Sequence, residues 1–467
     1  MKIAFHGAAR TVTGSKHLIT LKNGKKVLLD CGMYQGMGRE TDSLNLDFGF
    51  EPSEVTYMCL SHAHIDHTGL IPRLSKLGYK GKIFCTAATR DLAEILLLDS
   101  AEIQEDDVKY VNKRHSREGK PLVEPLYKIE DAKACIGQLT PTEMNTWVKI
   151  DEDIEVMFTE AGHIIGAACV HVRVTENGKT TQVSFSGDVG RYRDQILKSP
   201  DVFPQADYIL MESTYGTTLH EDIMPIDNQI LDYIHKTCIE KKGKLIIPAF
   251  SVGRTQEILY ALNVAQGKGT LPKIDIFVDS PLSMEATMVT KAHPECFNRT
   301  VSKILETDSD PFGFPGLHYI RSVDESKQLN FRKEPCVIIS ASGMAEAGRV
   351  KHHIANNIEN SRNTILIVGY CEPESLGGRL MRGAEEVSIF GTKFPVKADV
   401  GVIRSMSAHG DYEDLSQWLA CQDPQLVKRL FLVHGEYEVQ IGFRSWLLKK
   451  GFKDIEIPSR HYEIGLE

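Results

Sequence analysis

Ser61-His62-Ala63-His64-Ile65-Asp66-His67-Thr68-Gly69 follows directly on the apolar run Tyr57-Met58-Cys59-Leu60, and its reading decides the rest of the chain. Four potential metal ligands, His62, His64, Asp66 and His67, occupy six positions. Residues two apart in extended chain point to one side, so His62 and His64 can hold one cation. Asp66 and His67, at the start of a following helix, can turn toward a second. Imidazole and carboxylate ligands suit zinc, and iron or manganese less well. With 17 histidines among 467 residues, this crowding is rare in an accidental polar loop.

Two further segments extend the pattern: Glu160-Ala161-Gly162-His163-Ile164-Ile165-Gly166, and Phe185-Ser186-Gly187-Asp188-Val189-Gly190 at the end of a predicted strand. Around them the chain reads as β structure. His17–Leu21 and Lys25–Asp30 flank Asn23-Gly24, and Cys169–Val174 and Thr181–Phe185 flank Asn177-Gly178. Each Asn-Gly pair is expected to supply the positive φ angles of a tight hairpin. A helix is expected over Thr89–Ser100, where Leu92, Ile95, Leu96 and Asp99 follow its period. From about residue 225 the rhythm changes to strands spaced by helices. An amphipathic helix runs through Ile230, Ile234 and Cys238. Strands follow at Leu245–Ile247, Ile274–Val278, Cys336–Ile339 and Thr364–Val368, with helices after Ser251 and from about Ala345. Strands separated by helices imply crossovers and a parallel sheet.

Composition sets the limits. A chain of 467 residues with 42% hydrophobic and 25% charged residues has ample core for two to four domains, and a disordered or collagen-like chain is excluded. Lys and Arg total 54 against 63 Asp and Glu, so at a net charge of −9 no bulk basic surface attracts nucleic acid. Two divalent cations would place their charge at one spot that this count does not register. The ten cysteines lie far apart with no CxxC pair and no compact cluster, so neither a disulfide framework nor a thiolate zinc site is indicated and they read as reduced core residues. No stretch approaches the ~18 apolar residues of a membrane span, and the expected compartment is the cytoplasm.

Taken together, the motifs resemble the metallo-β-lactamase fold superfamily. Its HxHxDH motif matches His62, His64, Asp66 and His67, its later single His matches His163, and its bridging Asp matches Asp188. Asp30, at the end of Val27-Leu28-Leu29, matches an acidic residue that orients the ligands from behind. The likeness narrows to the β-CASP nucleases, which include RNase J and the nuclease subunit of the cleavage and polyadenylation machinery. Glu212 in Leu210-Met-Glu-Ser-Thr-Tyr-Gly216 fits the first β-CASP motif. His409 in Ser405-Met-Ser-Ala-His-Gly-Asp411 fits the second, and His434 in Phe431-Leu-Val-His-Gly-Glu436 the third. The implied fold is α/β: an αββα sandwich over 1–211 and 395–467, interrupted by an inserted α/β domain with a parallel sheet over 212–394.

The resemblance also implies chemistry. His62, His64, His163 and Asp188 would bind one Zn2+, and Asp66, His67, Asp188 and His434 a second. The two cations would clamp the attacking and leaving oxygens of an RNA phosphodiester. Catalytic roles fall to His409, Glu212, Asp66 and Asp30, with His409 serving the leaving ribose oxygen and Glu212 setting its tautomer. A histidine in the third motif marks RNA-processing members, where DNA-repair relatives carry Val. The expected substrate is therefore single-stranded RNA, with no membrane partner and a homodimer as the assembly to test.

A net-acidic nuclease needs neutral grips on phosphate, and helix N-termini supply them. Phe250-Ser251-Val252-Gly253-Arg254-Thr255 and Ser340-Ala341-Ser342-Gly343-Met344 each read as a strand-to-helix loop, and the second resembles the family's SxSGM phosphate loop. Ser340, Ser342, Gly343, Arg254 and Arg379 are the expected phosphate contacts, with Lys397 as added charge. His6, His115, His171, His318, His352, His353 and His461 are read as ordinary surface or core residues. Two competing functions are a hydrolase of a small thioester, lactam or phosphodiester, which the long insertion argues against, and a noncatalytic RNA-binding scaffold, which the full ligand set argues against.

Overall fold

The computed structural model describes residues 1–220, 226–369, 371–403 and 406–467; Ser405 of the second β-CASP motif lies outside them. The chain forms two units, Met1–Leu219 with His409–Glu467, and His220–Ala408. In the first, alternating apolar residues build two seven-stranded sheets. One runs in the order Tyr462–Gly465, Lys2–Gly7, Lys16–Thr20, Lys26–Leu29, Tyr57–Cys59, Ile83–Cys85, Leu139–Pro141. The other runs Ile455–Glu456, Arg429–Leu432, Tyr208–Met211, Lys179–Phe185, Ala168–Glu176, Ile154–Glu160, Val148–Lys149. Ile3, Phe5, Val27 and Leu29 of one sheet share a core with Val156, Phe158, Val170, Phe185, Leu210 and Phe431 of the other.

The second unit holds a six-stranded sheet in the order Leu317–Tyr319, Asp275–Val278, Cys336–Ser340, Lys244–Pro248, Thr364–Val368, Asp399–Ile403. Every pairing in it is parallel, as the strand–helix alternation predicts. Asp399–Ile403 pairs along Thr364–Val368, so this unit runs on past residue 394, where the sequence reading closes the insertion. A hairpin of Glu386–Ile389 with Thr392–Pro395 has no counterpart in that reading.

The two Asn-Gly turns differ. Asn177 and Gly178 both have positive φ and close a two-residue loop between Glu176 and Lys179, as expected. At the first hairpin only Gly24 is left-handed. The loop is longer, with Leu21 N–H bonded to the Lys25 carbonyl and the Asn23 side chain accepting from Lys25 N–H. There Asn23 caps the turn instead of adopting its backbone conformation.

The helix expected over Thr89–Ser100 runs from Ala87 to Glu118 and ends on left-handed Gly119. Its last buried residue is Ala101, so the remaining turns leave no apolar period to read. The helix expected from Ala345 begins at Arg349, because Ala345 and Gly348 both have positive φ and cannot be helical.

Strand Ile154–Glu160 ends on a buried carboxyl. Burial, with some help from Asp201, pushes Glu160 up to about 8 from 4.5, and the Gly162 and Ala161 N–H groups and Lys198 pull it back only in part. Between these values the folded chain keeps the proton that the unfolded chain releases. Stability is therefore complete below about pH 4.5 and declines up to pH 8, by at most about 1.4 kcal/mol per pH unit. Glu160→Gln should raise the Tm at pH 8.5 and leave it unchanged near pH 4.5. A Tm difference independent of pH would show that Glu160 is ionised in the fold.

Candidate metal centre

Most site residues of the first unit lie just beyond a strand or on a loop held by one, while Asp66 and His67 sit in the short helix Ile65–Thr68. Asp30 follows Lys26–Leu29, and His62 follows Tyr57–Cys59. From the second sheet, His163 follows Ile154–Glu160, Asp188 follows Lys179–Phe185, Glu212 follows Tyr208–Met211 and His434 follows Arg429–Leu432. At these ends the backbone leaves the ladder and can turn its side chains together. Close backbone packing fixes the turns. A Cβ on Gly32 would stand 1.5 Å from the Asp66 carbonyl, and one on Gly190 would stand 1.8 Å from the Gly162 carbonyl. Only glycine permits these approaches.

Two groups of ligand atoms result. His62 Nε2 lies 3.1 Å and His163 Nε2 3.2 Å from His64 Nδ1. His67 Nε2 lies 3.2 Å from His434 Nε2, which is 3.4 Å from Asp66 Oδ2. Asp188 joins the groups: its Oδ2 is 3.5 Å from both His62 Nε2 and His163 Nε2, and its Oδ1 is 3.4 Å from His67 Nε2 and 3.5 Å from His434 Nδ1. The seven residues expected as ligands are thus brought together, in the sets His62, His64, His163, Asp188 and Asp66, His67, His434.

The donor set fits cations. His64 Nδ1 has one in-plane position and faces two ring nitrogens, so hydrogen bonds alone cannot satisfy the trio. Among the described residues, no donor reaches the buried Asp188 Oδ1 with hydrogen-bond geometry. Burial pulls His64 down to about 4 and His62 well below its ordinary value, leaving neutral imidazoles, the ligating form. Burial opposes ionisation of Asp188, but His434, His67 and His62 outweigh it and hold the carboxyl well below the usual range.

Partners behind the ligands orient them. Asp30, left-handed and fully buried, accepts from Ser61 N–H at 2.7 Å and Ser61 Oγ at 2.8 Å, and faces His67 Nδ1 at 2.6 Å. This aims His67 Nε2 at the centre. Ser61, and Thr214 with its Oγ1 3.1 Å from His434 Nδ1, were missed by the sequence reading. Both sit inside quoted motifs, and the signal was the need of each ligating imidazole for a partner on its other nitrogen. Lys16, also missed, is fully buried and donates to the carbonyls of Gly14 and Gly32, tying down the loops beside Asp66.

His409 and Glu212 form a separate pair beside the ligands. His409 Nδ1 is 3.2 Å from Glu212 Oε1, which also accepts the Val189 N–H at 2.6 Å. Gly410 N–H binds the Val189 carbonyl, and Asp411 caps helix Tyr412–Leu419, which holds the His409 loop. Burial lowers the His409 pKa, but the Glu212 carboxylate, with Asp188 and Asp66, more than offsets this and raises it to about 9.

The expected phosphate contacts belong to the second unit. Ser340 is buried and donates to the Asp279 carbonyl. Ser342 closes a turn with Ala347, and Gly343 lies against the Phe250 ring, 2.6 Å from where a Cβ would stand. Arg254 is buried with its guanidinium on Glu257, Arg379 is half-buried in helix Leu376–Met381, and Lys397 is exposed. Contrary to the sequence reading, the Ser340–Met344 loop does not lead into a helix N-terminus, which lies at Gly348. Of the histidines set aside, His353 is buried against Asp279 and His171 against Thr159 and Ser184, while His352 stacks on Phe390.

This fold and ligand set define a metal-dependent hydrolase of the metallo-β-lactamase superfamily, whose family model matches residues 16–221. Models of the Beta-Casp domain and of the Zn-dependent metallo-hydrolase RNA specificity domain match 255–380 and 393–458. The chain is 34% identical to Ribonuclease TTHA0252 of Thermus thermophilus, over 97% of both chains. It is 31% identical to an RNase J-like protein of Methanocaldococcus jannaschii, over 98% of this chain and 97% of that one. It is 28% identical to the transcription termination factor FttA of Methanosarcina mazei, over 96% of this chain and 69% of that one. The chain belongs to the β-CASP family of this superfamily. No helix among the described residues is long and apolar enough to cross a membrane.

Removing the carboxylate behind His67 tests the orienting layer. Asp30→Ala should weaken metal affinity about 10- to 100-fold, measured by competition with a chromogenic chelator. Unchanged affinity would show that Asp30 serves only the fold.

Proposed function

We propose that the protein is a dinuclear zinc-dependent ribonuclease that hydrolyses phosphodiester bonds of single-stranded RNA, endonucleolytically, 5′-exonucleolytically or both, in RNA processing or decay. The division of the Asp188 oxygens between two nitrogen groups, with the His409–Glu212 pair beside them, carries this reading. The relatives' names, ribonuclease, RNase J-like protein and termination factor, support RNA as the substrate.

His62, His64, His163 and Asp188 would hold one ion, and Asp66, His67, His434 and Asp188 the other. When bound, two such ions neutralise the phosphate and supply a hydroxide nucleophile near neutral pH. The chain's own residues do the rest. Asp30 orients His67 and Thr214 orients His434. Glu212, anchored by Val189 N–H, receives Nδ1–H of His409. Nε2–H is left to protonate the leaving ribose oxygen, so the products are a 3′-hydroxyl and a 5′-phosphate. Ser340, Ser342, Gly343, Arg254 and Arg379 remain the proposed phosphate contacts of the second unit, as backbone or side-chain donors.

Elemental analysis of the purified protein should find close to two transition-metal ions per chain, chiefly zinc. Full nuclease activity in metal-free protein would overturn the mechanism. Zinc-loaded protein should cut end-labelled single-stranded RNA in preference to DNA, and product lengths separate internal from 5′-stepwise cleavage. No cleavage of RNA would overturn the assignment.

His409→Ala should keep its metal and its RNA affinity while losing on the order of 10²–10⁴ in cleavage rate. Loss of zinc, or an unchanged rate, would show that His409 is not the proton donor.

A further inference from the structure

Tyr437, Ile441 and Arg444 follow one another at spacings of four and three in helix Tyr437–Lys449, so a single face carries all three. With Arg10, Ile455 and Ile457 they line most of a cavity of about 490 Å³, within the range of about 300–1,000 Å³ typical of small-ligand sites. Isoleucines make part of its wall apolar. The Arg10 guanidinium lies 4.5 Å from the Tyr437 ring centroid and donates to the Ile457 carbonyl at 3.1 Å.

The charges are unevenly matched. Arg429 at the cavity is neutralised by Asp454 at 2.7 Å and Glu456 at 3.2 Å. Among the described residues, Arg10 and Arg444 form no ion pair with a carboxylate. Two uncompensated guanidinium groups beside an aromatic and aliphatic wall, on a chain of net charge −9, select an anion that also carries a flat apolar part. A bare phosphate would leave the tyrosine and isoleucines unused, and an apolar ligand would leave the arginines unused.

The cavity is also tied to the metal centre through the backbone. His434 N–H donates to the Ala8 carbonyl at 2.7 Å and Gly435 N–H to the Thr11 carbonyl at 3.1 Å. The same two segments, 8–11 and 434–437, carry His434 on one side and Arg10 with Tyr437 on the other. Tyr437 follows His434 by three residues, a separation of at most about 11 Å along extended chain.

We propose that this cavity binds one nucleotide of the RNA strand away from the scissile bond, its phosphate on Arg10 and Arg444 and its base against Tyr437 and the isoleucines. The proposal rests on the ribonuclease reading above. It gives an acidic protein a local, side-chain grip on RNA that whole-chain charge conceals.

The test measures anisotropy of a short 5′-fluorescein-labelled single-stranded RNA across a salt series. It uses the full zinc-loaded chain carrying His409→Ala, alone and combined with Arg444→Gln or Tyr437→Ala. Arg444→Gln should weaken binding about tenfold and reduce the slope of log K against log salt by about 0.7. Tyr437→Ala should weaken binding about tenfold to a hundredfold with the slope unchanged. Arg444 is exposed, so its replacement should not disturb folding, and it decides the matter if Tyr437→Ala misfolds. Affinity and slope equal to the parent would overturn the proposal while wild-type cleavage of RNA leaves the ribonuclease reading standing. A wild type that neither binds nor cleaves RNA would overturn both.

Discussion

Asp188 divides one carboxylate between two clusters of buried ring nitrogens, and the rest of the first unit is arranged to make that possible. Removing so many ionisable groups from water is costly unless each finds a partner. Here the partners are largely one another, and the lone pairs left over converge. A cation is the one species that satisfies all of them. The two sheets provide a rigid frame, because their shared apolar core fixes the strand ends from which these side chains depart.

Behind the ligands lies a second arrangement that is nearly as constrained. Asp30 takes a left-handed backbone conformation and receives Ser61 and His67 together, so it sets the direction of one ligand and the position of the loop bearing the others. Gly32 lets the Asp30 loop lie against the carbonyl of Asp66, and buried Lys16 fastens the neighbouring carbonyls. The directions of these side chains are therefore set by the residues behind them as well as by one another.

Charge explains how such a protein can serve an anionic substrate. The overall balance of −9 repels nucleic acid weakly and without direction, whereas recognition depends on charge placed at particular points. The ligand clusters create one such point. Arg10 and Arg444 create another, because the nearby acids are already engaged by Arg429.

That these seven residues converge was legible in sequence because four of them lie within six positions and the others occupy motifs at strand ends. The hairpin at Asn177-Gly178 and the parallel sheet were legible because turn chemistry and strand–helix alternation are local. What exceeded local pattern was hidden: the solvated half of helix Ala87–Glu118 has no apolar period, and Asn23-Gly24 uses its side chain where its backbone was expected to turn. Residue types and their order along the chain determined which groups could bind metal. Only the tertiary structure decided which nitrogen each histidine presents, how the Asp188 oxygens are shared, and that Arg10 meets a helix beginning at Tyr437. Apart from the His62–His64 approach, these depend mostly on contacts between segments more than a hundred residues apart, which sequence order does not encode locally.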